Sequence, residues 1–441
     1  MYLVGVLVVV LGVIVSIALH EIGHLVPAKR FGVKCTQYMI GFGPTLRSRR
    51  IGETEYGVKA IPLGGYVRMI GMFPPKPDGS RRPDTTGRWA LVAEQARHDA
   101  QREIGPEDAD RLFYQRSVPK RLVIMLGGPV MNLTLAVGLL AVIVCGFGVP
   151  TTTRTVSAVS QCILPAAQPD RACTASDPKA PAAQAGFLPG DEIVSFGGTP
   201  VTNWAQVQRA IRADQGTPVQ VVVRRDGRPV TLTVTPTVTE RPVLDANGNA
   251  VTGPDGKPQL TSVGFLGLSP TTALQRQSPA VLPGLTWDAV RQTAAVIVTI
   301  PAKMVGVAES AVTGSQRDPN GPISLVGIGR AAGEAATAEP AAGAGPTATD
   351  RFVSLLSLIA SLNIALFVFN LIPLLPLDGG HVAGALWEGL RRRIAQWRHR
   401  PDPGPVDIAR ALPLAYGVVS LLIGMSALLV YADIVNPVSF G

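Results

Sequence analysis

Charged residues are scarce in this sequence of 441 residues. Asp, Glu, Lys and Arg make up 16% of it and hydrophobic residues 46%, a balance that is unusual for a soluble protein of average composition. Four stretches contain no charged residue at all: 1–19, 122–150, 352–377 and 411–432. At about 1.5 Å per helical residue, each can cross the roughly 30 Å hydrocarbon core of a bilayer. We therefore predict four transmembrane helices.

Two further absences refine this count. No basic residue precedes the first apolar run and no small-residue cleavage site follows it, which argues against a removable secretory signal. The stretch 287–313 lacks an uncharged core of sufficient length, because four charged residues interrupt it. It is more typical of an amphipathic helix that lies at an interface.

Excess positive charge is nearly confined to one loop. Residues 28–121 contain 18 Lys or Arg against 10 Asp or Glu, whereas 150–350 contains 15 of each kind. By the positive-inside rule, the first loop is cytoplasmic and both the N-terminus and 150–350 are extracytoplasmic. A second basic segment at 388–410 is then cytoplasmic again. The charge indicates topology and contact with anionic lipid, so no nucleic-acid partner is expected.

Histidine is also rare, with five residues in the chain, and two of them belong to an H-E-x-x-H motif at the end of the first apolar run. On a helix, His20 and His24 share a face and can bind one Zn²⁺, while Glu21 lies about 100° away, beside a coordinated water. Zinc lowers the pKa of such a water toward about 7, and a carboxylate can remove its proton for attack on an amide. Ionisable side chains are costly in a membrane, and a bound metal accounts for all three.

A catalytic zinc site usually has a third protein ligand. The third apolar run ends in NLIPLLPLDGGH, where Asp378 is the only acidic residue. In the predicted topology Asp378 lies near the cytoplasmic side, as His20 and His24 do, so we expect it to be the third ligand. His381 is interpreted as an ordinary interfacial histidine. The two prolines before Asp378 indicate broken backbone that borders a cavity.

The regions between the apolar runs have their own patterns. Residues 54–71 alternate polar and apolar about a Pro-Leu-Gly-Gly turn, which predicts a β-hairpin. Residues 74–115 form a charged, partly helical insertion. From about 156 to 239 the composition is that of a small soluble α/β domain, and 331–349 is typical of a linker. Cys162 and Cys173 fall in the expected extracytoplasmic region, where they form a disulfide or remain two free thiols.

Five segments of the chain together resemble one known family. They are HEIGH, FGVKCTQYMIGFGP, IPLGGYVRM, RLVIMLGGPVMN and NLIPLLPLDGG. The sequence is similar to intramembrane zinc metalloproteases of the site-2 protease family, in the bacterial branch with a PDZ domain, the regulator-of-sigma-E protease type. This resemblance implies three zinc ligands, Glu21 as general base and Asn370 as a helper near the substrate or oxyanion. The implied ligands are His20, His24 and Asp378.

The resemblance also implies which residues contact substrate. A membrane-reentrant β-element would pair its free edge with an unwound substrate strand, and the AGFLPGD loop would belong to a single PDZ domain. The expected substrate-binding residues are Ile61, Pro62, Leu63, Gly64, Gly65, Asn132, Gly186, Phe187 and Gly190. The PDZ-like domain either binds a peptide C-terminus or excludes untrimmed substrates by size, and the sequence leaves both alternatives open.

The expected fold is a polytopic α-helical membrane protein with four transmembrane helices, a membrane-associated β-hairpin and an inserted extracytoplasmic PDZ-like α/β domain. Its parts are transmembrane helices at 1–27, 122–149, 351–380 and 411–433, cytoplasmic loops at 28–121 and 381–410, the PDZ-like domain at 150–270, and an extracytoplasmic helix and linker at 271–350. We expect it in the bacterial plasma membrane, with the active site near the cytoplasmic side.

The expected activity is zinc-dependent cleavage of single-pass membrane proteins such as anti-sigma factors, usually after an upstream site-1 protease has acted. One alternative is a non-catalytic PDZ scaffold or chaperone, which would have no need of an intact Glu21. Another is a zinc transporter, which would require ionisable residues spread through its spans, whereas three of the four apolar runs have none near mid-membrane.

Overall fold

The computed structural model describes residues 2–75, 88–164, 172–174, 176–214, 216–243, 251, 259–315, 317, 321–337 and 348–436. The chain divides into two compact units. The first comprises Met1–Gly146 and Ser278–Gly441, and the second comprises Phe147–Gln277. The domain predicted at 150–270 falls inside the second unit.

The first unit is built mainly from helices. These are α1 (Tyr2–Arg30), α2 (Arg88–Arg102), α3 (Val118–Ala141), α6 (Leu282–Thr313), α7 (Leu325–Thr337), α8 (Ala348–Asn370), α9 (Asp378–Trp397) and α10 (Leu412–Val435). Among the described residues, five helical stretches are long and apolar enough to cross a membrane, namely the four predicted ones and Pro279–Ala311. α6 is thus a fifth candidate by length and composition, where the sequence predicted an interfacial helix.

Helices α1 and α3 are in backbone contact at glycines. A Cβ atom on Gly127 would lie 1.9 Å from the carbonyl oxygen of Gly23, and a Cβ on Gly23 would lie 2.3 Å from that of Gly127. Small residues at a membrane helix interface permit such close approach. The contact holds the HEIGH segment of α1 against α3.

Helix α8 is tied to α1 by a buried polar contact. The amide of Asn363 donates to the hydroxyl of Ser16 at 2.9 Å and to the carbonyl of Ile359 at 2.9 Å. Asn363 and Ser16 are both buried. Since Ser16 lies one turn before His20, this contact fixes α1 relative to α8 close to the candidate site.

The predicted hairpin at 54–71 is wrong in its turn. β1 (Cys35–Ile51) and β2 (Thr54–Met69) form one long bent hairpin that turns at Gly52 and Glu53, and Pro-Leu-Gly-Gly lies inside β2. Residues 37–40 are flanked by 65–68 on one side and by 55–58 on the other. Gly64 has φ 114° and leaves no room for a Cβ, which would meet the ring of Phe42 at 2.6 Å. Glycine therefore permits a distorted strand here. A Pro-Leu-Gly-Gly pattern is compatible with such a strand as well as with a turn, so the sequence did not distinguish between them.

The third apolar run does not continue to Asp378 as one helix. α8 ends at Asn370, a loop follows, and Asp378 is the first residue of α9, so the predicted boundaries of 351–380 and 381–410 are wrong here. A carboxylate in the first turn of a helix is favourable because it faces the positive end of the helix dipole. Gly379 lets the loop pack on this turn, since a Cβ there would lie 2.3 Å from the carbonyl oxygen of Ile372.

Helix α9 is held against α3 by a buried ion pair. The carboxylate of Glu388 accepts hydrogen bonds from Arg121 and, at 3.0 Å, from the backbone N–H of Val406. The side chains of Arg121 and Glu388 are 4% and 1% exposed. A buried pair of this kind strongly fixes the relative position of the two helices, because separating the charges would leave each uncompensated.

The second unit is a small α/β domain. Its strands are β3 (Val149–Val159), β4 (Glu192–Phe196), β5 (Thr199–Pro200), β6 (Val219–Arg225), β7 (Arg228–Val234), β8 (Thr237–Pro242), β9 (Leu260–Phe265) and β10 (Leu268–Gln275), and its helices are α4 (Pro181–Gln184) and α5 (Trp204–Ala213). The main sheet has the order β10-β3-β4-β6-β7, with β5 on β4, and β8 pairs with β9. Its core includes Val156, Phe187, Ile193 and Trp204. Cys162 and Cys173 are joined by a disulfide bond in this unit.

The carboxylate of Asp191 organises one loop of this domain. It is fully buried and accepts two hydrogen bonds of 2.8 Å from Arg225 and one of 2.9 Å from the N–H of Leu188. Arg225 also donates to the carbonyl of Gly186. Burial opposes ionisation, but the hydrogen bonds from Arg225 and Leu188 outweigh it and lower the pKa of Asp191 below its usual value.

Two other predicted segments differ in part. The linker expected at 331–349 begins inside α7, which extends to Thr337, and 338–347 lie outside the described residues. The insertion at 74–115 contains α2, as its partly helical pattern indicated, and 76–87 lie outside the described residues.

Candidate metal centre

Three predicted ligands come together at one point. His20 and His24 lie near the C-terminal end of α1, and Asp378 begins α9. The two Nε2 atoms are 3.3 Å apart, and each lies 3.3 Å from Oδ2 of Asp378. The side chains are mostly buried, with exposed fractions of 13%, 6% and 19%. Three electron-pair donors therefore form an equilateral triangle.

The size of this triangle matches one face of a zinc coordination tetrahedron. The edge of a tetrahedron is about 1.63 times the centre-to-corner distance, so edges of 3.3 Å correspond to metal–ligand distances of about 2.0 Å, which zinc makes to nitrogen and oxygen. Oδ2 of Asp378 is buried and, within the described part of the chain, has no hydrogen-bond donor. A buried acceptor without a donor is costly. The donor set thus fits a Zn²⁺ ion and leaves a fourth position open.

The backbone of α3 selects the tautomer of His24. Nδ1 of His24 lies 2.8 Å from the carbonyl oxygen of Ile124. A carbonyl can only accept, so Nδ1 carries the proton and Nε2 keeps its lone pair for a metal. Hydrogen bonds of this type orient metal-binding histidines in many sites.

Asn132 is placed to select the tautomer of His20. Its side-chain amide lies 3.1 Å from Nδ1 of His20, and Asn132 is fully buried. If Nε2 of His20 binds a metal, Nδ1 is protonated and needs an acceptor. The Oδ1 atom of Asn132 has no hydrogen-bond partner in the described part of the chain, and either end of the amide can face the imidazole, so Oδ1 can be the acceptor. Asn132, predicted to bind substrate, is therefore placed to orient a ligand.

Gly128 forms the wall of the site on α3. A Cβ atom at this position would lie 2.2 Å from Nε2 of His24 and 2.7 Å from Nε2 of His20. No side chain can be accommodated there without moving both imidazoles. The sequence motif GGPVMN therefore provides two close-approach glycines and, five residues after the first, the asparagine that faces His20.

Glu21 lies between the ligand group and the β-hairpin. Glu21 is 8% exposed, and the backbone of Val67 on β2 is among the groups that act on its carboxylate. A Cβ atom on Gly65 would approach Cγ of Glu21 to 2.9 Å. The segment 61–69 of β2 thus packs directly on the candidate general base. Among the described strands, none pairs with the outer edge of this segment.

The structure also gives the positions of the other predicted residues. Asn370 ends α8 and lines a cavity of about 580 Å³ between α6 and α8. His381 follows Asp378 by one turn, and its Nδ1 has no hydrogen-bond partner among the described residues. Phe187 is 3% exposed and belongs to the core of the second unit.

The second unit contains a cavity whose lining does not include the predicted loop 186–190. It has a volume of about 340 Å³ and lies between α5 and the β9–β10 segment. Its lining includes Trp204 and Ile211 on one side and 264–270 on the other. The sequence feature that could have indicated this cavity is the stretch VGFLGLSP at 263–270, where two glycines alternate with apolar residues.

Sequence reasoning missed several residues that hold the site together. Tyr38 donates from its hydroxyl to the carbonyl of Ala18 at 2.8 Å, and Asn363 joins α8 to α1. An asparagine within an apolar run is a signal, since polar groups in a membrane require partners. Cys35 is also near the hairpin base, but burial raises the pKa of its thiol to about 12, so it does not compete as a thiolate ligand.

Comparison with known proteins gives the same result as the geometry. The family model described as "Peptidase family M50" matches residues 8–400. The chain is 32% identical over 447 residues to zinc metalloprotease Rip1 of Mycobacterium tuberculosis, with 99% of each chain covered. It is 33% identical to zinc metalloprotease Rip1 of Mycolicibacterium smegmatis, with 100% of this chain and 99% of the relative covered. It is 30% identical over 398 residues to metalloprotease MmpA of Caulobacter vibrioides, with 87% and 86% covered.

These matches confirm the family that the motifs predicted. The family model spans most of the chain and includes both segments that supply the ligand triangle. Several apolar helices agree with a multi-pass membrane protein. Because the match is of this extent and two relatives align from end to end, the chain belongs to peptidase family M50, the site-2 protease family of zinc metalloproteases.

Proposed function

We propose that this protein is an intramembrane endopeptidase that hydrolyses a peptide bond within or near the membrane span of single-pass proteins. The observation that carries the proposal is the ligand triangle with equal sides of 3.3 Å, which lies between helices that are long and apolar enough to cross a membrane. A bound zinc would supply Lewis-acid activation of the attacking water and of the scissile carbonyl.

In the proposed mechanism, His20, His24 and Asp378 hold the metal and Glu21 is the general base. Glu21 follows His20 directly on α1 but is not one of the three converging donors, so its carboxylate remains free to take a proton. The close packing of Gly65 on its side chain restricts where the carboxylate can lie. After attack, the same carboxylate returns the proton to the leaving amine. Asn370 is proposed as the group that stabilises the oxyanion, on family resemblance alone.

The substrate is proposed to bind as an added strand on β2. A transmembrane substrate is helical and its backbone amides are already paired, so it must be unwound before cleavage. The outer edge of 61–69 offers unpaired backbone groups beside Glu21, which supports strand addition at this place. Ile61, Pro62, Leu63, Gly64 and Gly65 belong to this edge.

Four membrane crossings are supported by the direction of the helices. His20 and His24 lie near the C-terminal end of α1 and Asp378 follows the end of α8, whereas on α3 Gly128 lies in the N-terminal half and Asn132 just past the middle. α1 and α8 therefore run towards the site and α3 runs away from it. The end of α3 and the start of α8 are then on the same side of the membrane. The chain between them must cross an even number of times, so α6 alone would not be a crossing. We retain the predicted sides, with the metal centre near the cytoplasmic face and the second unit outside.

Anti-sigma factors already shortened by an upstream site-1 protease are the proposed substrates. The second unit is proposed to be a PDZ-like domain, because a cavity of about 340 Å³ between a helix and a strand can accept an added peptide strand. Whether it binds a new C-terminus or excludes longer substrates, it would act before the chain reaches the metal centre.

The test is cleavage of anchored substrates by wild type and by Glu21→Gln. A single-pass substrate with an outer domain already removed should release a cytoplasmic fragment with wild type. Glu21→Gln should release none while retaining its zinc, because the ligands are unchanged. Glu240→Gln, an exposed carboxylate of the second unit, is the matched control and should cleave normally. A scaffold or chaperone would bind the substrate equally in all three and release no fragment.

A further inference from the structure

We propose that α9 is an interfacial helix that binds anionic lipid headgroups in the leaflet nearest the candidate metal centre. α9 is a helix of 20 residues that starts at Asp378. The proposal concerns its surface, which the proteolytic mechanism does not use. It rests on the arrangement of side chains around the helix axis.

One face of α9 belongs to the protein interior. Ala385 and Glu388 are 3% and 1% exposed, and Glu388 pairs with Arg121 of α3. Arg392, one turn further, also pairs with Glu388 at 3.2 Å. This face is therefore fully occupied by contacts within the chain.

The opposite face carries large apolar side chains that are substantially exposed. At 100° per residue, five of them fall within an arc of about 100° whose centre is opposite the buried face. Their exposed fractions are 55% for Leu386, 55% for Trp387, 49% for Leu390, 39% for Ile394 and 80% for Trp397. A continuous stripe of this size is rarely left in water, because burial of large apolar side chains is favourable.

Arginines flank the stripe on both sides. Arg393 lies along one border, and Arg391 and Arg398 lie along the other; Arg393 and Arg398 are exposed. The only acidic residues of α9 are Asp378 and Glu388, and both are committed, one to the ligand triangle and one to the ion pair. The outward surface is thus apolar at its centre, cationic at its borders and free of acidic residues.

An anionic bilayer surface is the partner that matches all of these features. Apolar side chains of an interfacial helix enter the boundary of the acyl chains, and tryptophans favour the headgroup depth, where Trp387 and Trp397 would lie. Arginines near an anionic surface are attracted to it and strengthen the binding. α9 belongs to a unit with several candidate membrane spans, so a bilayer is already adjacent to it.

The position of Asp378 gives this contact a consequence for the site. Asp378 is the first residue of α9, and a helix is a rigid connection over its 20 residues. Lipid that binds the outward face of α9 therefore also restrains the position of Asp378, the third residue of the ligand triangle. The composition of the leaflet would then influence how firmly Asp378 is presented.

The test uses the full-length protein in vesicles and measures tryptophan quenching by brominated lipids. Spectra of wild type minus Trp387→Phe/Trp397→Phe isolate the two tryptophans of α9. Brominated phosphatidylglycerol, as a minor component in phosphatidylcholine, should quench them at least roughly twofold more than brominated phosphatidylcholine at the same fraction, because the arginines enrich the anionic lipid. The variant Arg391→Gln/Arg393→Gln/Arg398→Gln should lose this preference but keep quenching by phosphatidylcholine.

A matched control removes three exposed arginines of the second unit, Arg209→Gln/Arg228→Gln/Arg276→Gln, and should keep the preference. Absence of quenching by either lipid would overturn the proposal, since α9 would then face water or protein. Equal quenching by the two lipids, unaffected by the arginine variant, would overturn the anionic specificity. Efficient disulfide formation between two copies of a Leu390→Cys variant would also overturn it, in favour of a protein interface.

Discussion

Replacement of Gly128 by alanine should disable the metal centre through a single added methyl group. The new Cβ would lie 2.2 Å from Nε2 of His24, whereas real Cβ contacts essentially never fall below 3.0 Å. The imidazole must therefore retreat by at least about 0.8 Å, while a metal site tolerates displacements of about 0.2 Å. His20, at 2.7 Å from the same point, must move as well. We expect zinc affinity to fall by at least tenfold and cleavage by roughly a hundredfold.

Gly138→Ala is the matched control on the same helix. A Cβ atom there meets nothing within 4 Å, and alanine is favoured over glycine in a helix interior by roughly 1 kcal/mol. Both variants gain this helix preference, so a difference between them isolates the contact with the histidines. Zinc content of the purified proteins and release of the substrate fragment are the two measurements. Full zinc content and near wild-type cleavage by Gly128→Ala would refute the placement of α3 against the ligands.

Three further substitutions test other contacts. Asn363→Ala removes the link to α1, so we expect a loss of about 1 kcal/mol of stability, seen as a lower melting temperature. Gly65→Val should abolish cleavage while zinc is retained, because the new side chain would occupy the space of Glu21. The lowered pKa of Asp191 means that its bonds with Arg225 stabilise the fold fully above the unfolded pKa of about 4, and that this stabilisation declines as the pH falls from there through the lower pKa of the folded state. Hydrogen exchange of the second unit should therefore accelerate below about pH 4, after correction for intrinsic rates, in wild type but much less in Asp191→Asn.

Each of these expectations has a contrary outcome. An unchanged melting temperature for Asn363→Ala would mean that the contact with Ser16 contributes nothing. Zinc loss together with activity loss in Gly65→Val would place the damage in the ligands rather than at Glu21. Equal acid sensitivity of wild type and Asp191→Asn would assign the acid response to other carboxylates. Thr239→Val, at a half-buried position of the same unit without charge, controls for general destabilisation.

The apolar runs and the H-E-x-x-H motif were sufficient to predict the core of this protein. Four stretches without charge could be predicted as membrane-spanning helices from their length, because the bilayer thickness sets how many residues a spanning helix needs. His20, Glu21 and His24 belong to one helix, so their relative geometry follows from helical periodicity. Asp378 could be predicted as the third ligand because it is the only acidic residue in the segment NLIPLLPLDGGH.

The long-range contacts were decided by the tertiary structure. No local pattern indicates that Asn132 faces His20, that Gly128 borders both imidazoles, or that Gly65 packs on Glu21. These contacts join segments that are 44 to more than 100 residues apart, and they depend on how closely two backbones approach. The turn of the hairpin was misplaced for a related reason. Pro-Leu-Gly-Gly is compatible with both a turn and a distorted edge strand, and only pairing with β1 selects the second.

The sequence by itself determined which residues are proposed to carry the chemistry, because metal binding and proton transfer require particular side chains in helical register. The fold decided where those side chains meet and what surrounds them. The triangle of 3.3 Å exists only because α1, α3 and α9 are locked together, by backbone contact at Gly23 and Gly127 and by the buried pair of Arg121 and Glu388. Such packing depends on shape across the whole unit, which no short stretch of sequence contains.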